Sequence, residues 1–398
     1  MTMKKFLPVF LLILARALLI PIALEASSLY SPTWGFSLDL PEDYVYVEGD
    51  GRDRFSFETP DGACFDIVVY AATSQRPAPY ASIRALANDV QIRLSSEGDT
   101  SFFTYQNNEA AILELFFPSP FDGGRSVMIG FGLALELEAE PGKPAPLLLA
   151  LAYGPEWRED LLLLHLSALD SIAPTAEDRL CPGPITEFSF PRETRQRMAI
   201  WGLGEEAWFY PVDEEASQWL IEREFIVLIR YAESADWVEA WSRYYRAVYR
   251  DSYERLKDAA FVIERKLYTP QNDSREFAGR VLEWIQGFTY ERDFSGSDFV
   301  SLVSAVLDGR GDCDSRAMLF ALILNQANIP AAMMVSVEYS HAMGLVDLPG
   351  SGARFDFVGK QWLVAETTAQ VTLGLIGADT SDPDYWLGIF LDSQLTPD

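Results

Sequence analysis

The run Met318-Leu319-Phe320-Ala321-Leu322-Ile323-Leu324 contains no polar side chain. Gly311-Asp312-Cys313-Asp314-Ser315-Arg316-Ala317 precedes it, and Asn328 and Pro330 close it, so it reads as a helix reaching about Asn325. Apolar residues on nearly every side leave such a helix no face for water. It must be central and buried, and the local fold has to wrap it. A thiol, Cys313, stands at its first turn.

At 398 residues the chain has room for two or three domains. Hydrophobic content of 49% and aromatic content of 13% supply at least one large core. The formal net charge is −28, from 59 acidic and 31 basic residues. That balance repels phosphate backbones and anionic lipid surfaces, so nucleic acid is set aside as a partner.

Lys4 and Lys5 precede an apolar run from Phe6 to Ala15, and a second run extends from Ala17 to Leu24. Ala26, Ser27 and Ser28 offer a cleavage zone, and Arg16 interrupts the stretch. Residues 1–28 therefore read as an export signal, either cleaved or retained as an N-terminal anchor. The expected location is periplasmic or in the cell envelope, with secretion as the variant. No later stretch is long and apolar enough to span a bilayer.

The cysteines are Cys64, Cys181 and Cys313. In an oxidising compartment Cys64 and Cys181 either pair or sit apart as small buried hydrophobes, with Cys313 the odd thiol. Two histidines and three scattered cysteines do not assemble a tetrahedral structural metal site.

Residues 29–174 read as an α+β domain. Phe36, Leu38 and Leu40 alternate before Pro41, and Phe55 to Phe57 and Cys64 to Tyr70 flank the turn Thr59-Pro60-Asp61-Gly62. A helix over Ala81 to Leu94, strands near Thr104, Val127 and Leu147, and a closing helix over Glu156 to Ser171 complete a sheet covered by helices. His165 lies on that last helix as a core histidine. Residues 175–268 read as a linker marked by Pro182, Pro184 and Pro191, then helices from Glu214 to Tyr231 and from Ala235 to Leu267. An aromatic stripe on the second, including Trp237, Trp241 and Tyr244, is expected to pack on the next domain. Residues 269–398 begin with a helix capped by Asp273 or Ser274, then a short helix over Asp298 to Leu307 and the cysteine helix. Strands follow over Ala331 to Tyr339, Ala342 to Val346 and Trp362 to Ala365.

Cys313 at the helix start, His341 after one strand and Glu366 after another form the part list of an activated thiol. Thiolate is the nucleophile, and a helix N-terminus favours it, while the charges of Asp312 and Asp314 oppose it unless they cap the helix. His341 would take the thiol proton, and Glu366 would fix the imidazole tautomer. The Cys313 N–H is the natural oxyanion donor, and Gly311 would let the backbone turn sharply.

From about Phe277 onward the chain resembles the transglutaminase-like, papain-related superfamily in its bacterial and archaeal form. The matching pieces are Trp284-Ile285-Gln286 with Tyr290 and Asp293, Gly311 to Leu319, His341-Ala342-Met343-Gly344, and Trp362-Leu363-Val364-Ala365-Glu366-Thr367-Thr368. The resemblance implies an α+β fold with a Cys313, His341 and Glu366 triad, Gln286 and Tyr290 as auxiliary or oxyanion-side residues, and no metal or organic cofactor. Glutamate stands where the family commonly has aspartate, and Met343 where an aromatic residue often follows. The implied reaction is acyl transfer from an amide of a peptide or protein substrate through a Cys313 thioester, to water or to an amine; the alternative is an inactive binding module. Residues 29–174 also resemble the sheet-and-helix domains of the PsbP/Mog1 type, through Gly35-Phe36-Ser37-Leu38, Leu40-Pro41 and the closing helix.

Overall fold

The computed structural model describes residues 28–73, 75–268, 273–292 and 296–391. Residues 1–27 of the export segment, and Asp293, lie outside the described residues. The fold is α+β, with a seven-stranded and a five-stranded sheet.

The short pair β1 (Leu29–Tyr30) and β2 (Ser37–Leu38) precedes a hairpin ladder: β3 (Val45–Gly49), β4 (Arg54–Glu58) and β5 (Cys64–Tyr70). After α1 (Ile83–Leu94) come β6 (Thr100–Tyr105), β7 (Asn108–Pro118), β8 (Val127–Glu136) and β9 (Leu147–Pro155), then a 3₁₀ turn over Glu156–Leu161 and α2 (Leu162–Asp170). The antiparallel order is β3-β4-β5-β9-β8-β7-β6. The single strand expected near Thr104 is a hairpin. Gln106 and Asn107 turn it with φ of 47° and 66°, the positive pair that a tight hairpin turn needs.

Alternation along the strands sends one set of side chains, Ile112, Leu133, Leu148 and Ala150, to the α2 side. The other set, Leu113, Leu115 and Leu149, meets α1. Cys64 belongs to the α1 face. Cys181 sits beside Pro182, whose carbonyl accepts from the buried Tyr105 hydroxyl on the opposite face. The sheet separates the two sulfurs, so of the two alternatives the pairing does not form and both are free thiols. His165 is a core residue, 1% exposed, with Nδ1 beside the Tyr44 hydroxyl at 3.4 Å.

The segment expected to be a linker is built into the fold. Pro184 opens α3 (Pro184–Ser189), and Asp170 accepts from the Ile185 and Thr186 N–H groups at 2.8 and 3.0 Å. A hairpin, β10 (Gln196–Ile200) with β11 (Glu205–Phe209), leads into α4 (Asp213–Ile229). The long helix expected to Leu267 breaks at Leu256 into α5 (Trp237–Arg255) and α6 (Lys257–Leu267). Helices α4 and α5 contribute to both cores: Val227 and Ala240 to the first sheet's, Leu220, Tyr244 and Val248 to the other.

Where α4 and α5 meet α2, ions are buried. Arg243, 2% exposed, donates to Glu224 Oε2 at 2.8 Å and lies 3.3 Å from Glu42 Oε1. Arg223 bonds Asp170 at 2.7 Å and Glu224 at 2.9 Å.

The remaining elements are α7 (Ser274–Gln286), β12 (Thr289–Tyr290), α8 (Leu302–Asp308), β13 (Arg310–Gly311) and α9 (Cys313–Gln326), followed by β14 (Ala331–Ser336), β15 (His341–Val346), β16 (Arg354–Phe357), β17 (Lys360–Ala365) and β18 (Leu387–Ile389). The second sheet runs β16-β17-β15-β14-β18. Asp273 caps α7 through the Glu276 N–H at 2.9 Å. Every residue of α9 from Ser315 to Leu324 is buried, and the helix packs on β14 and β15.

Two expectations follow for stability. Arg243→Met strands Glu42 and one Glu224 oxygen in the interior and should cost roughly 3–5 kcal/mol, the usual penalty for breaking a buried pair; urea unfolding of the full chain measures it. Burial holds His165 at about 4. Below its unfolded value near 6.5, the unfolded chain takes up a proton that the folded chain refuses. Stability should therefore fall as pH drops from about 6.5 towards 4, by up to roughly 3 kcal/mol, and His165→Asn should flatten that slope.

Candidate active site

Asp312 adopts extended backbone geometry at the N-cap of α9 and accepts from the Ser315 N–H at 2.9 Å and from its hydroxyl. That bond starts the helix at Cys313. Arg316, 1% exposed, ties the start down by donating to Gly311 O at 3.0 Å and Phe288 O at 2.7 Å. Gly311 serves by close approach: a Cβ there would lie 2.8 Å from Ser315 Oγ. Its sharp-turn role is not needed, since Gly311 is absent from the positive-φ glycines.

Strand β14 ends at Ser336, earlier than the alternation suggested, and a loop returns to His341, which pairs with Ser336 across the hairpin. Glu366 follows the last residue of β17, which pairs with β15. Both groups thus come from one end of neighbouring strands. His341 Nε2 bonds Glu366 Oε2 at 2.9 Å. The other carboxylate oxygen accepts from the Thr368 N–H and hydroxyl, each at 2.7 Å. Burial alone would raise the Glu366 carboxyl. The His341 bond and charge, with Thr368, outweigh it and hold the group below its ordinary value.

The sulfur of Cys313 meets this pair through the backbone. The Ala342 N–H, of the residue after His341, and the Tyr290 hydroxyl both act on it in the direction that favours thiolate. Its own proton points to Asp314 Oδ2 at 3.6 Å, and among the described residues no hydrogen bond joins it to the imidazole. The thiol is 1% exposed. Burial pushes it well up, and the charges of Asp314 and Asp312 push the same way. The helix start does not win: at rest this is a thiol, against the expectation of a favoured thiolate.

Asp312 is a cap and more. Its Oδ2 is buried with no donor facing it. Burial, then the neighbouring Asp314 charge, raises its carboxyl well above the usual range. Asp314 is held in place by the Tyr245 hydroxyl at 2.7 Å. Asp312, Cys313 and Asp314 put three donor atoms within 4.8 Å of one another.

Tyr290, on β12 beside Gly311 of β13, reaches the sulfur. Gln286 does not. Its Nε2 donates to Glu366 O at 2.8 Å and Val371 O at 2.9 Å, pinning the chain that carries Glu366. Pattern reading missed Tyr245, the Ala342 N–H, Arg316 and Trp386, whose ring packs edge-on to His341 at 6.2 Å. Tyr245 stands next to Tyr244 of the expected aromatic stripe but is not counted in it.

No family model matches the chain, and no curated protein matches it. Three solved structures are similar in part. Cyanobacterial PsbP from Synechocystis sp. is 14% identical over 37% of this chain and 91% of its own, with a TM-score of 0.26. LpqN, involved in cell-envelope biogenesis of Mycobacterium tuberculosis, is 12% identical over 37% of this chain and 90% of its own, also at 0.26. A protein provisionally assigned as a cysteine protease, from Cytophaga hutchinsonii, is 11% identical over 84% of this chain and 83% of its own, at 0.24. At such scores these likenesses lend no weight to function.

The site yields two expectations. Asp314→Asn removes a charge that opposes the thiolate, so the pH profile of Cys313 alkylation by iodoacetamide should move to lower pH, while in the native wild type it should lie above that of the unfolded chain. Gly344 of β15 faces Phe320 of α9, and a Cβ there would lie 2.6 Å from the Phe320 ring. Gly344→Ala should cost about 1–3 kcal/mol by overpacking, read as a drop in the urea midpoint, and should change the alkylation rate by shifting α9 against β15.

Proposed function

We propose that the chain is an exported thiol enzyme that transfers the acyl group of an amide through a thioester on Cys313, with water as the acceptor. The reading rests on one observation: His341 Nε2 bonded to Glu366 Oε2 at 2.9 Å, at the strand ends that face the buried start of the cysteine helix. With Nε2–H donated to the carboxylate, Nδ1 is the free base. It takes the thiol proton as sulfur adds to the substrate carbonyl. The oxyanion meets the Cys313 N–H, which as a first-turn amide has no partner within its helix. Collapse expels the amine with the proton from His341. Water, deprotonated by the same ring, then cleaves the thioester and frees the acid. Glu366 keeps the ring oriented throughout.

The substrate class is a peptide or protein, and the chemistry requires no cofactor. Residues 29–174 and 269–398 are proposed as domains joined by 175–268. Export is supported by the composition of residues 1–28, and among the described residues no helix is long and apolar enough to cross a membrane.

The burial of Cys313 and the acidic flanks that raise it favour a second reading, a binding module without turnover. Acylation separates the two. Incubated with p-nitrophenyl acetate and quenched in acid, the wild type should carry an acetyl mass on the peptide containing Cys313, with a burst of nitrophenol. Cys313→Ala should carry none, and His341→Ala should react about 100-fold more slowly or worse. An unmodified Cys313, or an unchanged rate in His341→Ala, leaves only the binding module. Release of new amines from casein or peptidoglycan fragments then tests for hydrolysis.

A further inference from the structure

A cavity of about 280 Å³ opens beside the site, walled by Trp241, Tyr244, Tyr245 and Phe299 and bordered by Asp314 and His341. The size admits one long side chain and lies at the small end of ligand pockets, which run to about 300–1,000 Å³. Trp237, Trp241 and Tyr245 follow one another along α5, with ring centroids 5.7 and 5.9 Å apart. The first ring is 38% exposed, and the last bonds Asp314. The aromatic row thus runs from solvent to the carboxylate that touches the nucleophile.

Among the described residues the acidic and basic side chains lining the cavity are Asp314, Asp298 and Arg292. Arg292 pairs with Asp298 at 3.0 Å, and Asp314 adds a further negative charge. An anion behind a wall of aromatic faces suits a cation, since ring faces attract ammonium and guanidinium groups and a shielded carboxylate pairs with them strongly. A chain of net charge −28 has acidic surface in many places, but this carboxylate is set apart by its aromatic walls and by its position beside the thiol.

We propose that this cavity is a specificity subsite for a basic side chain, lysine or arginine, next to the amide that Cys313 attacks. The proposal rests on the acyl-transfer reading for what happens to the substrate, though not for the binding itself. An arriving ammonium pairs with Asp314 and neutralises the charge that opposes the thiolate, so the preferred substrate also readies the nucleophile.

Binding is tested apart from turnover, on the full chain carrying Cys313→Ala. Nα-acetyl-lysine amide and its uncharged analogue Nα-acetyl-norleucine amide are titrated by calorimetry and by tryptophan fluorescence. The lysine amide should bind at least tenfold more tightly, with an advantage that shrinks as salt is raised. Adding Asp314→Asn, which keeps an acceptor for Tyr245, should remove the preference. Adding Trp241→Leu should weaken the lysine amide at least fivefold, and it serves alone if the asparagine variant does not fold. Equal affinity for the two amides, or a preference that survives Asp314→Asn, overturns the proposal; so does Trp241→Leu binding as the parent does. Loss of acylation at Cys313 in the wild type would remove the catalytic reading and leave this binding result standing.

Discussion

Everything at the site depends on where α9 begins, and burial decides that. A helix enclosed from Ser315 to Leu324 cannot slide or rotate without exposing apolar surface at about 25 cal/mol per Å². Its N-terminus is therefore held far more firmly than a surface helix's would be. Asp312 then sets the first residue by capping, and Arg316 ties that first turn to the segments bearing Phe288 and Gly311. The sulfur inherits its position from hydrophobic packing that has no chemistry of its own.

That same enclosure works against the thiolate. Burial and two flanking carboxylates raise the thiol, while the helix start, the Ala342 N–H and the Tyr290 hydroxyl pull the other way and lose. The balance is set by charge, and charge is what a substrate can alter. The macrodipole contributes about half an elementary charge, and its effect fades within a turn. A full negative charge on Asp314, a hydrogen-bond length from the sulfur, is larger. A cation beside Asp314 would therefore change the thiol more than the fading field of the helix start does.

The cysteine helix, its cap and the strand ends carrying His341 and Glu366 were legible in the sequence because each leaves a local mark: an unbroken apolar run, an N-cap residue, an alternation ending in a polar group. The Gln106-Asn107 turn left a weaker mark, lacking the glycine of the strongest hairpin signal, and β7 was lost with it. The β10–β11 hairpin was hidden in a segment that prolines made look like a linker. Arg316 and Gln286 act by donating to carbonyls distant in sequence, which no spacing reveals. The fate of Cys64 and Cys181 depended on which face of a sheet each occupies, and only the folded register decides that.

The α5 stripe shows how a pattern can be read correctly and still understate its use. Helical spacing of aromatic residues says that one face meets protein, and Tyr244 and Tyr245 do lie in the core. The helix also runs outward past the edge of that core, so the rings at its N-terminal end keep part of their faces open. A stripe that is buried at one end and exposed at the other grades continuously from packing to recognition. Here Tyr245 bonds Asp314, so the geometry that anchors α5 to the core also ties the row of rings to the residue beside Cys313.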